Sequence, residues 1–302
     1  MTRQPLRVSL PPDPNTRPPH WALPPGSCDT HAHVFGPPDL FPYSDSRRYT
    51  PPAAPIEHYM DVQKITGLSR AVFVTPTAHG YDNRVVLNAI AKLGDAARGI
   101  ANIDNTFDDA ALDALHQGGI RGARFHLMDD RPGNEEHLTE NLLRLKRNKW
   151  VLDLHVDPED LFKHESFIRS LPIPTIIDHM ARVRGAHGID QPAFKLLLNL
   201  LEDDRFWVKL CSLDKISAVP KAHVEGSLPF MDMVPFAKAV CDVAPDRVIW
   251  GSDWPHGNTF TPGRVPNEGD LLDLLAVIAP DPALRKRILV DNPAHLFGFA
   301  QI

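Results

Sequence analysis

Several absences narrow the reading of this 302-residue chain before any motif is considered. Cysteine is scarce. Cys28, Cys211 and Cys241 are odd in number and far apart, which excludes a disulfide scaffold and any CxxC metal or redox motif. All three read as small buried apolar residues. No apolar run approaches the roughly 18 to 20 residues that span a bilayer, and the first residues lack a signal peptide's apolar centre. The expectation is a soluble, cytoplasmic protein with no membrane partner. An excess of positive charge is missing too: 32 Lys plus Arg stand against 38 Asp plus Glu, a formal net charge of -6, so no basic field invites nucleic acid. A small anionic ligand at a local cluster of cations is still compatible with that balance. The GxGxxG turn of a doubly wound dinucleotide fold is also absent.

What is present in excess is proline, 30 residues, and histidine, 15. Eight of the prolines fall within residues 1–26, which carry no apolar periodicity and read as an extended arm. Residues 27–302 read as one domain, since 43% hydrophobic content suffices for a sizeable core. Short β-branched or apolar runs recur at 28–35, 71–75, 99–104, 122–127, 150–156, 175–180, 207–211 and 248–253. Between them, helical spacing predicts helices at 56–66, 82–93, 108–117, 135–148, 158–170, 191–202, 230–243 and 270–279. Eight such units in about 275 residues predict an α/β fold of the (β/α)8 TIM-barrel type, with strands buried on both faces. Two connections, 36–54 and 212–228, are longer than usual and belong to the C-terminal face, where barrel enzymes build their sites.

His31 and His33 lie two apart in CDTHAHVFG, so a strand projects both to one face. His155, His179 and Asp253 stand at the ends of later predicted strands. Imidazole nitrogens with one carboxylate oxygen suit a borderline cation such as zinc, and a mononuclear catalytic site is expected. Cations stand on the same face: Arg124 and Arg131 with the fourth strand, Arg182 after His179, Lys215 after the seventh strand. An arginine fork suits carboxylate or sulfonate oxygens.

Together, CDTHAHVFG, IDHMAR and WGSDWPH resemble the amidohydrolase superfamily over nearly the whole chain. AHGYDN and GARF point within it to the branch containing 2-pyrone-4,6-dicarboxylate lactonase. The resemblance implies a hydrolase that opens an anionic lactone in aromatic breakdown, with His31, His33, His179 and Asp253 at the reaction centre. The pyrone-dicarboxylate lactonases are regarded as working without metal and carry an aromatic residue at a fifth-strand position that here is His155. That departure resembles the members that hold one zinc. It implies Zn2+ on His31, His33, His155 and Asp253, with His179 beside it and Asp253 accepting a water proton. Tyr49, Thr77 and His256 map by resemblance to substrate-contacting positions. Lys215 and Leu154 stand where those lactonases have an arginine and a tyrosine. The two changes favour a related lactone bearing a sulfonate and a carboxylate, as in the 4-sulfomuconolactone hydrolase group. Pyrone-dicarboxylate itself, a sugar-acid lactone, a zinc-dependent decarboxylation and a non-catalytic binding role are the rival expectations. Monomer and homodimer both stay open.

Overall fold

The apolar runs form eight parallel strands in sequential order: β1 (Cys28–Ala32), β2 (Arg70–Val74), β3 (Ala97–Asn102), β4 (Ile120–His126), β5 (Val151–His155), β6 (Thr175–Ile177), β7 (Phe206–Leu210) and β8 (Val248–Trp250). The computed structural model describes residues 6–128, 134–219 and 227–302. Helices alternate with the strands, among them Ile56–Thr66, Arg84–Leu93, Asp109–Gln117, Pro192–Leu200, Val234–Val243 and Glu268–Ile278. Among the described residues no helix is long and apolar enough to cross a membrane. The TIM-barrel expectation therefore holds, with two kinds of adjustment. The helix expected over 158–170 is two, Pro158–Lys163 and Glu165–Ser170, separated at His164. Strands β1, β6 and β8 also stop three residues short of the expected ends, because the chain turns off the sheet where the site begins. His179 to Arg182, Ser212 and Asp253 all adopt positive φ, between 50° and 64°. Non-glycine residues rarely take that conformation, and it clusters here at the C-terminal mouth of the barrel.

The sheet closes where the two shortened ends meet. Asp253 N–H donates to the His31 carbonyl at 2.8 Å and His33 N–H donates to the Trp254 carbonyl at 2.7 Å. Gly251 permits this approach: a Cβ at that position would lie 2.5 Å from the His31 Cβ and 2.8 Å from its backbone nitrogen. Asp29 fastens the seam from behind, accepting from the backbone N–H groups of His31 and Ser252 and from the hydroxyls of Tyr59 and Ser252.

The barrel interior is layered. Its floor is apolar: Cys28, Val72, Val74, Ile100, Val151, Ile176, Trp207 and Ile249 pack with Phe297 and Phe299 from the C-terminal segment. Two residues beyond Val151, Ile176 and Trp207 the character changes to Asp153, Asp178 and Lys209, joined by Arg124 from β4. Lys209, Asp153 and Asp178 have no solvent exposure. The outward face, with Phe73, Leu152, Leu154 and Val208, joins the larger core between sheet and helices. Leu154 therefore points away from the mouth, and the expectation that its identity bears on the substrate is corrected: strand alternation turns the residue outward while His155 faces in.

The N-terminal arm, described from residue 6, runs extended over the barrel's rim. Ser9 N–H donates to the Thr50 carbonyl, and Leu10 N–H donates to the Thr259 carbonyl. Arg17 pairs with Asp270 and Asp273, and the Trp21 indole donates to the Leu272 carbonyl. Cys28, Cys211 and Cys241 are all free and buried, as expected.

Candidate active site

A cavity of about 510 Å³, within the usual size of a small-molecule site, opens at the C-terminal mouth. Its lining comes from seven of the eight strand ends, all but that of β3, and includes both long connections: Arg48, Tyr49 and Thr77; Arg124, His126 and Met128; His155 and Asp157; His179 and Arg182; Ser212, Lys215 and Ile216; His33, Asp253, Gly257 and Asn258. Five imidazoles follow one another around the mouth. The ring centroids of His33 and His31 are 4.9 Å apart, His31 and His179 4.8 Å, His179 and His155 5.3 Å, and His155 and His126 5.0 Å.

The barrel seam brings His31, His33 and Asp253 into one group. His31 Nε2 and His33 Nε2 are 3.3 Å apart, and Asp253 Oδ1 lies 3.6 Å and 3.5 Å from them. Ligands about 2.0 to 2.1 Å from a tetrahedral zinc sit roughly 3.3 to 3.4 Å from one another, so the three atoms already stand at ligand spacing. The other hydrogen bonds of His33 and Asp253 fit the same role. His33 Nδ1 lies 2.7 Å from the Val74 carbonyl, which requires an N–H there and leaves the Nε2 lone pair toward the site. His31 Nδ1 lies between a donor and an acceptor, 2.9 Å from Lys209 Nζ and 3.3 Å from Asp178 Oδ1, so its two neighbours pull the tautomer in opposite directions. The Ser212 hydroxyl donates to Asp253 Oδ2 and leaves Oδ1 toward the imidazoles. Burial alone raises the Asp253 carboxyl's pKa, but the adjoining imidazoles of His33, His179 and His31 hold it well below the usual range. Among the described residues no Lys or Arg lies within ion-pair distance of Asp253. A buried carboxylate without a cation, beside two imidazoles, is a donor set suited to a divalent metal ion.

His155, expected as a fourth ligand, lines the cavity but stands outside this group. Its Nδ1 lies 3.1 Å from Arg124 Nη2. A guanidinium only donates, so Nδ1 accepts, and a neutral ring then carries its proton on Nε2 with no lone pair left for a metal. The ring is neutral because burial, followed by the charge of Arg124, pushes its pKa well below the usual histidine value. His155 thus stands apart from the His31–His33–Asp253 group with which it was expected.

Arg124 is itself fixed from below. Its Nη2 donates to Asp178 Oδ2 at 2.6 Å, and Lys209 Nζ lies 3.2 Å from both Asp178 and Asp153. Burial pulls the Lys209 pKa down, but the two carboxylates outweigh it and keep the ammonium charged. Burial and the charge of Asp178 push Asp153 up to about 6, while the surrounding cations and imidazoles overcome burial at Asp178 and hold it well below its usual range. His179 rests on the same group. Its Nδ1 lies 2.7 Å from the Cys211 sulfur, a thiol that burial keeps protonated, and its Nε2 lies 3.1 Å from Asp178 Oδ2. Cys211 therefore donates to Nδ1, and His179 carries its proton on Nε2. Burial brings its pKa down to about 4, so the ring is neutral at pH 7.

The other expected contacts divide. Tyr49, Thr77, Arg124, Arg182 and Lys215 line the cavity; Arg182 Nε lies 3.1 Å from Asp157, and Lys215 is bonded to Asp214 and to the Thr259 hydroxyl. Arg131 lies outside the described residues. His256 is a correction. It is fully buried beneath the loop, its Nε2 is 3.0 Å from Glu268 Oε1, and its neighbours Gly257 and Asn258 line the cavity instead. Burial lowers its pKa, but the carboxylate of Glu268 outweighs that and raises it. Sequence reasoning passed over Arg48, His126 and Ser212 on the cavity wall and Asp153, Asp178, Lys209 and Cys211 beneath it. The readable signal for the last group was a charged or sulfur residue two positions from another inward residue, as in Asp153–His155 and Lys209–Cys211.

The comparisons agree with this geometry. A family model described as amidohydrolase matches residues 28–299. A 4-sulfomuconolactone hydrolase of Rhizobium radiobacter is 41% identical over 282 residues, 92% of each chain. A 2-pyrone-4,6-dicarboxylate hydrolase of Comamonas testosteroni is 36% identical over 289 residues, 94% of this chain and 93% of that one. In the crystal structure of an Agrobacterium tumefaciens protein without ligand, the chain fold superposes with a TM-score of 0.80 at 27% identity, over 94% of this chain and 100% of the other. The barrel, the HxH pair on its first strand, the aspartate after its eighth and these matches lead to one conclusion: the chain belongs to the amidohydrolase family.

Proposed function

We propose that the chain is a lactone hydrolase that opens an anionic unsaturated ring such as 4-sulfomuconolactone, with a zinc ion held by His31, His33 and Asp253. One juxtaposition carries the reading: a His–His–Asp group at metal-ligand spacing faces the same cavity as Arg48, Arg182 and Lys215. The names of the Rhizobium and Comamonas relatives support the lactone class, since both act on ring esters bearing acidic groups. The reading includes a cytoplasmic enzyme acting as monomer or homodimer.

Zinc, when bound, supplies a Lewis acid for a carbonyl and acidifies water from a pKa of 15.7 toward roughly 7. The remaining work falls to the protein. Asp253 takes the proton of the attacking water on Oδ1 and returns it to the leaving ring oxygen, so that lactone plus water gives the open hydroxy acid or its keto tautomer. Ser212 holds the other carboxylate oxygen and keeps Oδ1 aimed at the imidazoles. His179 turns its Nε2–H from Asp178, which it meets in the free site, to the oxyanion that develops on the carbonyl. The cations of the rim fix the acidic substituents and orient the ring.

The test is an ultraviolet ring-opening assay that compares 4-sulfomuconolactone, 2-pyrone-4,6-dicarboxylate and, with a pH indicator, a sugar lactone by kcat/KM. The sulfonated lactone is expected to lead, and release of carbon dioxide in place of ring opening would refute the hydrolase reading. Asp253→Asn is expected to lower kcat by about 10³-fold with little change in substrate binding. Turnover near the unmodified level in that variant removes the proton-transfer role.

A further inference from the structure

We propose that His155 is a specificity-determining hydrogen-bond donor, presenting its Nε2–H to an acceptor oxygen of the bound lactone at the wall opposite the His31–His33–Asp253 group. The inference rests on the lactonase reading for the identity of the ligand, and on the structure alone for the direction of the proton. β5 and β1 are four strands apart in an eight-strand order, which sets His155 across the mouth from the seam. A ligand that reaches Asp253 with its reacting carbonyl therefore extends a second oxygen toward β5.

Donor counting fixes the ring. Arg124 Nη2 has two hydrogens and three neighbours: Asp178 Oδ2 at 2.6 Å, His155 Nδ1 at 3.1 Å and His179 Nε2 at 3.2 Å. His179 has its own arrangement, accepting from Cys211 on Nδ1 and donating from Nε2 to Asp178. The two guanidinium hydrogens thus go to Asp178 and His155, and the His155 proton is left on Nε2. That nitrogen is buried and has no hydrogen-bond partner among the described residues. A buried N–H on a cavity wall without an acceptor is a site waiting for one. The ring cannot easily exchange its tautomer, because Arg124 is braced by Asp178, and Asp178 by Lys209. A neutral donor in a rim otherwise made of cations discriminates by position more than by charge: it accepts a carboxylate, sulfonate or carbonyl oxygen and leaves a bare C–H of a ligand unpaired.

Two measurements need no substrate. Long-range 1H–15N correlation on 15N-histidine-labelled protein, with His155 assigned by its disappearance in His155→Gln, is expected to show the Nε2–H tautomer. Zinc content by elemental analysis is expected to stay at the unmodified stoichiometry in His155→Ala while falling in His33→Ala. An Nδ1–H tautomer, or zinc lost from His155→Ala as from His33→Ala, overturns the proposal. Calorimetric binding of 4-sulfomuconolactone in the Asp253→Asn background reads the contact itself. His155→Ala is expected to weaken Kd about 10-fold or more, and His155→Gln, whose amide can also donate, to recover most of that. Equal binding in all three refutes the contact. If no lactone binds or is turned over, the lactonase reading falls, and the tautomer and zinc results still decide the direction of the proton.

Discussion

The two walls of the mouth hold histidines by different means. At the seam, two main-chain bonds bring His31, His33 and Asp253 together and a carbonyl on β2 turns the His33 ring, while the Ser212 hydroxyl holds Asp253 and the His31 ring rests on Asp178 and Lys209. Across the mouth, His155 and His179 are positioned by side chains alone, through Arg124, Asp178, Cys211 and the buried Lys209. The chemical outcome follows from the partner. A carbonyl accepts, so it leaves His33 with a free lone pair on Nε2; a guanidinium donates, so it leaves His155 with an N–H. Two imidazoles on one cavity are thereby left with different free atoms, a lone pair on one and an N–H on the other, without any difference in the residues themselves.

This contrast predicts different ways to break each wall. The largest expected effect is on the ionic side. Arg124→Met strips the short pair from Asp178 in a water-free environment and is expected to cost about 3 to 5 kcal/mol of stability while leaving zinc bound. Urea unfolding and metal analysis check both halves, and loss of zinc in a folded variant would show that the walls are not independent. Acidification is expected to come next. His179 has a folded pKa of about 4, below the 6.5 of an unfolded histidine, so the unfolded chain takes up the proton first as pH falls. Stability is complete above about pH 6.5 and declines toward pH 4, by about 3 kcal/mol for this group at roughly 1.36 kcal/mol per pH unit. His31 and His155 are shifted in the same direction by burial. Unfolding midpoints at pH 7.5 and 5 measure the decline, and His179→Asn is expected to flatten it. The smallest expected loss of stability is at the seam. Gly251→Ala forces the His31 backbone away and is expected to cost about 2 kcal/mol, but with zinc lost, the reverse of the Arg124 result.

Much of this was legible beforehand. The eight-unit rhythm gave the barrel, and the His31–His33 spacing gave one face, because periodicity is a local property that survives folding. The long connections at 36–54 and 212–228 do carry wall residues, Arg48 and Tyr49 in one and Ser212, Lys215 and Ile216 in the other. His155 was read as inward-facing and does line the cavity, but its chemistry was not legible, since its tautomer depends on an arginine 31 positions earlier in the chain. His256 was placed by motif, yet Glu268 draws the ring inward and leaves its neighbours on the surface of the cavity.

What the sequence by itself determined, then, is the order of strands and helices, the residues that alternate inward, and the family they belong to. Only the closed barrel decided how those inward residues pair. Lys209, Asp153 and Arg124 come from three different strands and Asp178 from the turn after a fourth, and each alone would be an unfavourable charge in a core. Their stability as a set depends on distances of about 3 Å between segments far apart in the chain, and no local pattern encodes those. The same holds for proton positions on the five imidazoles: residue type supplies two nitrogens, and the neighbour that folding brings to one of them decides what the other can do.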